Sequence, residues 1–400
     1  MLSSSKDDPP PSSSKDDPQS SLEKLAVIYL QDNHARRLEW YAFDVSDDPK
    51  LNQIPPPLSL RYLNHRLNPS FHEEDDESES KVYLKPIATA SNDHKWSVMR
   101  AILDNYLYRF RDPGLTQQFR GNMVERISIK DISPNSAPKW ERVDSLPILV
   151  FSAHALVLGG KLYCLGGVNK DGPWAVAYDP DKAKWESLPD PPHRPYSVRT
   201  IFSASLEKST LVGGPCIVVG SPDDGVLQIY NPDAQRWFTR SFDIKGSSIV
   251  PDDLVGNSGH PLVVDNNLYW YSVRSGEILC AYDLSTNVWS MARLPIHDEE
   301  EYFSQFKPHF PPSLAHLGSG KFCLFWVSPL PVEPRDNEVL LLPKPEDFST
   351  RLHCLKFRVT TSAGNLRPNS EAIIPLDVSI ISCQYHLVSG IKDFRGGFGV

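Results

Sequence analysis

The chain has 400 residues, 40% of them hydrophobic and 10% aromatic, with 36 prolines and a formal net charge of −9. That supports a sizeable core and argues against a body of long helices. The acidic run His72–Ser80 and the first 24 residues hold nearly all the net charge, so the near-neutral remainder offers no basic footprint for nucleic acid. There is neither a run of 18 apolar residues nor an apolar N-terminal segment, which predicts no membrane-spanning helix, no secretory signal, and residence in cytoplasm or nucleus.

Residues 1–24 write "SSSKDDP" twice and carry too little apolar matter to bury, so a disordered polar tail is predicted. From residue 25 the chain reads as short strands. "LAVIYL" (25–30), "RLEWYAFDV" (37–45) and "KLNQIP" (50–55) form a first unit over 25–58 that lacks its first strand. A long link, 57–97, follows and contains the acidic run as a solvated excursion. The second unit, 97–145, has the hairpin "MRAILDNYLYRFRD" (99–112), the strand "VERISIKDI" and Trp140. Units at 152–190, 198–240, 259–295 and 313–377 repeat the plan: a strand, a tight turn of Gly, Asn or Asp, then more strands. At the end, "SCQYHLVSG" (382–390) lines up with "SAHALVLGG" (152–160) and reads as the missing first strand.

The regularity is sharpest at "YDPDKAKW" (178–185), "YNPDAQRW" (230–237) and "YDLSTNVW" (282–289). Tyr178 and Trp185, Tyr230 and Trp237, and Tyr282 and Trp289 recur at one stride. Asp or Asn after each Tyr opens the turn through its side chain, and the paired rings suit the space between neighbouring sheets. A four-stranded sheet with two apolar faces is unstable alone and needs neighbours on both sides.

"LYCLGG…YDP…W", with Gly166 and Gly167 closing an apolar strand ahead of Tyr178 and Trp185, resembles the kelch motif of the kelch-repeat, galactose oxidase-like β-propellers. The resemblance covers roughly residues 25–390. It implies an all-β, six-bladed kelch-type propeller spanning 25–400, closed by the C-terminal strand. Only the copy at 162–185 keeps the double Gly.

In such a propeller the turns between first and second strands are short, whereas the second-to-third connections and the links between blades are long. Binding usually resides in scaffold-mounted loops, so the long-loop face is the predicted binding surface. It carries Arg111, His193, Arg194, Tyr196, Arg199, Arg274, Tyr302, Phe303, Phe306, His309 and Phe310, residue types favoured at protein interfaces. A protein partner is therefore expected, and no nucleic acid, membrane, metal or cofactor. The resemblance to plant F-box/kelch-type chains implies a role in ubiquitin-ligase substrate recognition. The 24 residues ahead of the first strand are too short and polar for an F-box domain. The alternative is a small-ligand-binding protein or metal-dependent enzyme that uses the mouth of the central channel.

Signatures of chemistry are weak. The copper-radical site of galactose oxidase needs paired Tyr and His ligands, and the 12 His show no metal-ligand spacing. Glu186, Asp190 and His193 approach the Glu-x3-Asp-x3-His pattern of the iron-dependent plant specifier proteins, with the His one position early. "GNSGH" (256–260) departs from a nucleophile elbow. The six Cys lie singly within apolar runs and read as buried thiols.

Overall fold

A computed structural model of the chain describes residues 25–32, 37–44, 88–91, 99–110, 123–130, 139–148, 150–167, 172–195, 201–221, 224–242, 261–272, 278–294, 312–329, 349–360, 374–389 and 392–399. Every regular element among them is a β-strand. The N-terminal stretch holds β1 (Leu25–Asp32), β2 (Arg37–Asp44) and β3 (Ala88–Ser91). Next come β4 (Met99–Leu103), β5 (Tyr106–Phe110), β6 (Val124–Ser128) and β7 (Glu141–Val143), then β8 (Val150–Leu158), β9 (Lys161–Gly167), β10 (Ala175–Asp179) and β11 (Lys184–Ser187). The third set is β12 (Phe202–Ser209), β13 (Gly214–Ser221), β14 (Val226–Asn231) and β15 (Arg236–Ser241). The fourth is β16 (Leu262–Val264), β17 (Asn267–Ser272), β18 (Ile278–Asp283) and β19 (Val288–Arg293). The chain ends with β20 (Ser313–His316), β21 (Lys321–Pro329), β22 (Ser349–Thr360), β23 (Ile374–Pro375), β24 (Asp377–Ser389) and β25 (Lys392–Gly399).

Apart from the parallel addition of β23, these strands make separate antiparallel sheets in a propeller arrangement. Five are blades drawn from one stretch of chain each: β4-β5-β6-β7, β8-β9-β10-β11, β12-β13-β14-β15, β16-β17-β18-β19 with β23 added, and β20-β21-β22-β24. The blades built this way are thus five rather than the six expected. The remaining sheet, β25-β1-β2-β3, joins the two ends of the chain. The first strands of the five blades touch in series, β4 to β8 to β12 to β16 to β20, and β20 touches β25. First strands therefore lie innermost, and the four sheets from β8–β11 to β20–β24 each face two neighbours.

Hydrophobic clusters fill the junctions. Leu162, Cys164, Val176 and Tyr178 pack against Tyr108, Phe110 and Val124 of the preceding blade. On the other face of the same blade, Tyr163, Leu165 and Trp174 meet Ile217, Val219 and Tyr230. Phe202, Val218 and Phe242 meet Leu268, Trp270 and Tyr282. Tyr269 and Leu279 meet Phe322, Leu324 and Phe357, and Cys323, Phe325 and Leu352 meet Ile28, Leu30 and Tyr41. Burial on alternate faces explains why the blade strands read as nearly continuous apolar runs instead of an in–out alternation.

The repeated Tyr–Trp pair has one geometry in all three copies. Tyr178 faces Trp185, Tyr230 faces Trp237 and Tyr282 faces Trp289 directly across the strand pair. Their ring centroids are 5.1, 5.1 and 4.8 Å apart at interplanar angles of 44°, 46° and 44°. Two residues before each Trp the backbone turns left-handed, with φ of 50° at Ala183, 50° at Gln235 and 60° at Asn287. The Asp or Asn after each Tyr accepts backbone N–H bonds in its turn: Asp179 from Asp181, Asn231 from Ala234, Asp283 from Ser285. The indole then reaches the neighbouring blade. Trp185 donates to the Asp144 carbonyl at 3.1 Å and Trp237 to the Pro189 carbonyl at 2.8 Å. Trp289 Nε1 is buried with no partner among the described residues.

Several expectations are corrected. Segment 382–390, expected to pair with the N-terminal sheet, lies almost wholly in β24 and pairs with β22 through a bulge. The strand that pairs with β1 is Lys392–Gly399. Once pairing with β22 has begun at Thr360↔Asp377 it extends to Ser349↔Ser389, because each added residue completes another ladder bond. The final blade therefore runs past residue 377 to 389. The fourth strand of the N-terminal sheet is Ala88–Ser91, inside the segment expected to be a link. The acidic run thus falls in the 45–87 connection between β2 and β3, and "KLNQIP" (50–55) lies outside the described residues, as do residues 1–24. Finally, β23 leaves its own blade and pairs in parallel with β19 of the neighbour, covering that outer edge.

Candidate interaction face

Antiparallel alternation puts the turns Leu103–Tyr106, Leu158–Lys161, Ser209–Gly214, Val264–Asn267 and His316–Lys321 at one end of the sheets. The second-to-third connections and the links between blades lie at the other. The division of loop length is less one-sided than expected, because the third-to-fourth connections 45–87, 129–140 and 361–373 emerge on the short-turn side. That side is strapped between blades: Gly159 N–H donates to Glu207 and Thr210 N–H to Asn266, both at 3.2 Å.

On the opposite side the structure resolves how one predicted binding loop is held. The double Gly ends β9. Gly166 has φ of 106°, the left-handed region where a side chain is strained, and the Gly166 and Gly167 N–H groups both donate to the Trp174 carbonyl, at 2.9 and 2.8 Å. A Cβ on Gly167 would lie 2.5 Å from the Pro173 carbonyl oxygen, so only glycine allows that approach. The Arg194 guanidinium donates back to the carbonyls of Gly167 at 3.1 Å and Gly172 at 3.2 Å, with Asp190 at 3.8 Å. Asp190 accepts the Trp174 N–H at 3.0 Å. Link 188–195 is therefore fastened to the 168–174 connection at two points.

A second fastening crosses to the next blade. His193 N–H donates to Gln228 Oε1 at 3.0 Å, and Gln228 Nε2 donates to the His193 carbonyl at 2.5 Å. Gln228 is buried on β14, so both ends of its amide are satisfied by one backbone residue. The His193 side chain stays exposed on this clamped backbone.

Of the predicted binding residues, His193 and Arg194 are therefore together, with different roles: Arg194 holds the loop and His193 faces outward. Arg111, Tyr196, Arg199, Arg274, Tyr302, Phe303, Phe306, His309 and Phe310 lie outside the described residues. The sequence reading missed Gln228. Its signal was an amide on β14 where the matching residues of the neighbouring blades are Val176 and Cys280. It also missed His353 and Ser328, which border the 330–348 connection on this same side. His353 stacks on Trp326 at 4.6 Å and 4° and lies 2.7 Å from Ser328 Oγ. Burial, with the Arg351 charge nearby, pushes its imidazole down to about 3.

Glu186, Asp190 and His193 do not converge: Lys182 lies 3.8 Å from Glu186 on the exposed fourth strand, Asp190 is committed to Trp174, and His193 bonds through its backbone. His154 Nδ1 lies 2.7 Å from Ser203 Oγ between two innermost strands, but Ser203 is 0% exposed, so no substrate reaches that hydroxyl. No cluster of three potential metal ligands occurs among the described residues. Likewise, no helix among them is long and apolar enough to cross a membrane.

Comparison with known proteins agrees with the architecture. A family model described as the kelch motif matches residues 151–192, the blade that keeps the double Gly and carries the strapped link. Kelch-like protein 23 from Homo sapiens and from Pongo abelii are each 25% identical over 189 residues, 44% of this chain. The match spans 30% of each relative's length. The solved structure of YjhT is 14% identical with a TM-score of 0.34, covering 52% of this chain and 68% of that one, a likeness too slight to argue from. A kelch motif on the Gly-Gly blade, kelch-like relatives and a series of four-stranded sheets with a recurring Tyr–Trp pair make this chain similar to the kelch-repeat β-propellers.

Proposed function

We propose that this chain is a protein-interaction module that seats a partner protein on the face carrying the blade links and second-to-third connections. In this reading the sheet β25-β1-β2-β3 serves as a sixth blade and β25 closes the ring. The observation that carries the proposal is the clamped link 188–195, which Arg194 and Gln228 hold at both blades while the His193 side chain points to solvent. A loop ordered before binding loses little entropy when a partner docks, and it presents an exposed imidazole at fixed position. Tyr196 and Tyr302, on the same links, supply aromatic area for the contact. The role is adaptor or scaffold in cytoplasm or nucleus, without catalysis, with presentation of substrates to a ubiquitin ligase as its specific form.

The test is capture of a stoichiometric protein partner on immobilised full chain. The triple variant H193A/Y196A/Y302A is expected to lose the partner, while K208A, on the short-turn side, retains it. Equal retention by both variants, or capture of a metabolite with no protein, would refute the assignment.

A further inference from the structure

Cys323 on β21 and Cys354 on β22 place their sulfurs 3.1 Å apart. They are not opposed across the ladder, since Cys323 faces Lys356 and Cys354 faces Phe325. They are diagonal neighbours on one face of the sheet. That face is the junction with the N-terminal sheet, where Ile28, Leu30, Tyr41 and Val388 complete the same apolar cluster. Both are thiols, 0% and 2% exposed. Cys164 and Cys216, by contrast, each sit in a cluster that holds no second cysteine, and burial raises their thiols above the ordinary range.

Sulfurs at 3.1 Å need to close by about 1 Å to reach disulfide bonding distance. We infer that Cys323 and Cys354 are an oxidisable dithiol that forms a disulfide between β21 and β22 when a peroxide reaches this junction. One thiolate attacks a peroxide oxygen, giving a sulfenic acid and, after proton uptake, one water. The second thiol then attacks the sulfenic sulfur and a second water leaves. The net change is two thiols and one hydrogen peroxide giving one disulfide and two waters, with the sulfurs oxidised and the peroxide reduced.

Burial sets the rate. Peroxide reaches the sulfurs only when the junction between the β20–β24 blade and the N-terminal sheet opens, so bond formation follows that opening. Bridging then cross-links the two strands that carry the 330–348 connection, fixing its base on the side proposed to bind the partner.

The experiment is incubation of the full chain with hydrogen peroxide, in buffer and in urea below the unfolding transition. Intact mass and a non-reducing peptide map are then read. The expected result is loss of two hydrogens from the mass, a single linked pair joining the Cys323 and Cys354 peptides, and reversal by a thiol reductant. Urea accelerates linkage several-fold, and C354S gives no linked peptide containing Cys323. The map of the unmodified chain is decisive by itself if C354S fails to fold. Absence of any linked pair in both conditions overturns the inference, as does linkage of either cysteine to a different partner.

Discussion

Gly220 supplies the sharpest test of how these blades are packed. It pairs with Phe202 across β12 and β13, and the outer end of the Phe202 ring occupies the space where a side chain would be. A Cβ at Gly220 would stand 2.1, 2.2 and 2.8 Å from three ring atoms. Ordinary contact begins near 3.4 Å, so the nearest overlap exceeds about 1 Å. The ring cannot withdraw, because Phe242 lies 5.6 Å and Trp270 5.3 Å from it, each edge-on, and the residue is 1% exposed. Gly220→Ala is therefore an overpacking substitution at the top of its usual range, about 3 kcal/mol. An unfolding entropy of about 0.8 kcal/mol/K for a chain this long corresponds to a fall of about 4 °C in Tm. Thermal melts followed by circular dichroism and tryptophan fluorescence measure it. Phe202→Leu alone costs about 1–1.5 kcal/mol through lost volume, and G220A/F202L is expected to be no less stable than F202L. The implied coupling is about 3 kcal/mol, readable from a double-mutant cycle. Additive effects, or a G220A chain within about 0.5 kcal/mol of the parent, would refute the reasoning.

The two indole environments separate a hydrogen bond from ring packing: Trp237→Phe loses the bond to Pro189 and is expected to cost about 1 kcal/mol more in urea unfolding than Trp289→Phe. Arg109 and Glu125 form a 2.7 Å ion pair buried beneath Trp140, so Glu125→Gln should destabilise by about 3 kcal/mol, and a matched apolar replacement of both by much less. His353 is held neutral when folded, at about 3 against an ordinary 6.5. Its contribution is complete above pH 6.5 and is lost as pH falls from there towards 3; His353→Gln should flatten this limb of stability measured against pH. Deleting residues 392–400 bares the β1 edge that β25 covers, and is expected to lower Tm and promote aggregation detectable by light scattering.

Much of this architecture was written locally. Each Tyr–Trp pair needs only a four-residue turn, one residue with positive φ and a side chain that bonds the turn, all within eight positions, so three matching copies exposed three blades before any tertiary contact was considered. The hairpin turns at Leu158–Lys161 and Val264–Asn267 were legible for the same reason. The ends of the chain were not. Residues 382–390 and 392–399 both suit an innermost strand, and the choice rests on which ladder each completes; β22 extends far enough to take the first, leaving the second for β1. Ala88–Ser91 carries no aromatic marker and becomes a strand only because the β2 edge is there to pair with.

The candidate site divides in the same way. Composition singled out His193 and Arg194 as exposed, interface-type residues on a long link. Only the folded arrangement separates them, bringing the Gly167 and Gly172 carbonyls to Arg194 and the Gln228 amide to the His193 backbone from a strand 35 positions away. Local turn chemistry and strand pairing are decided by neighbours in sequence, and the sequence spells them out. Which strand caps a sheet, and which polar side chain is committed and which is left facing water, depends on groups that folding alone brings together.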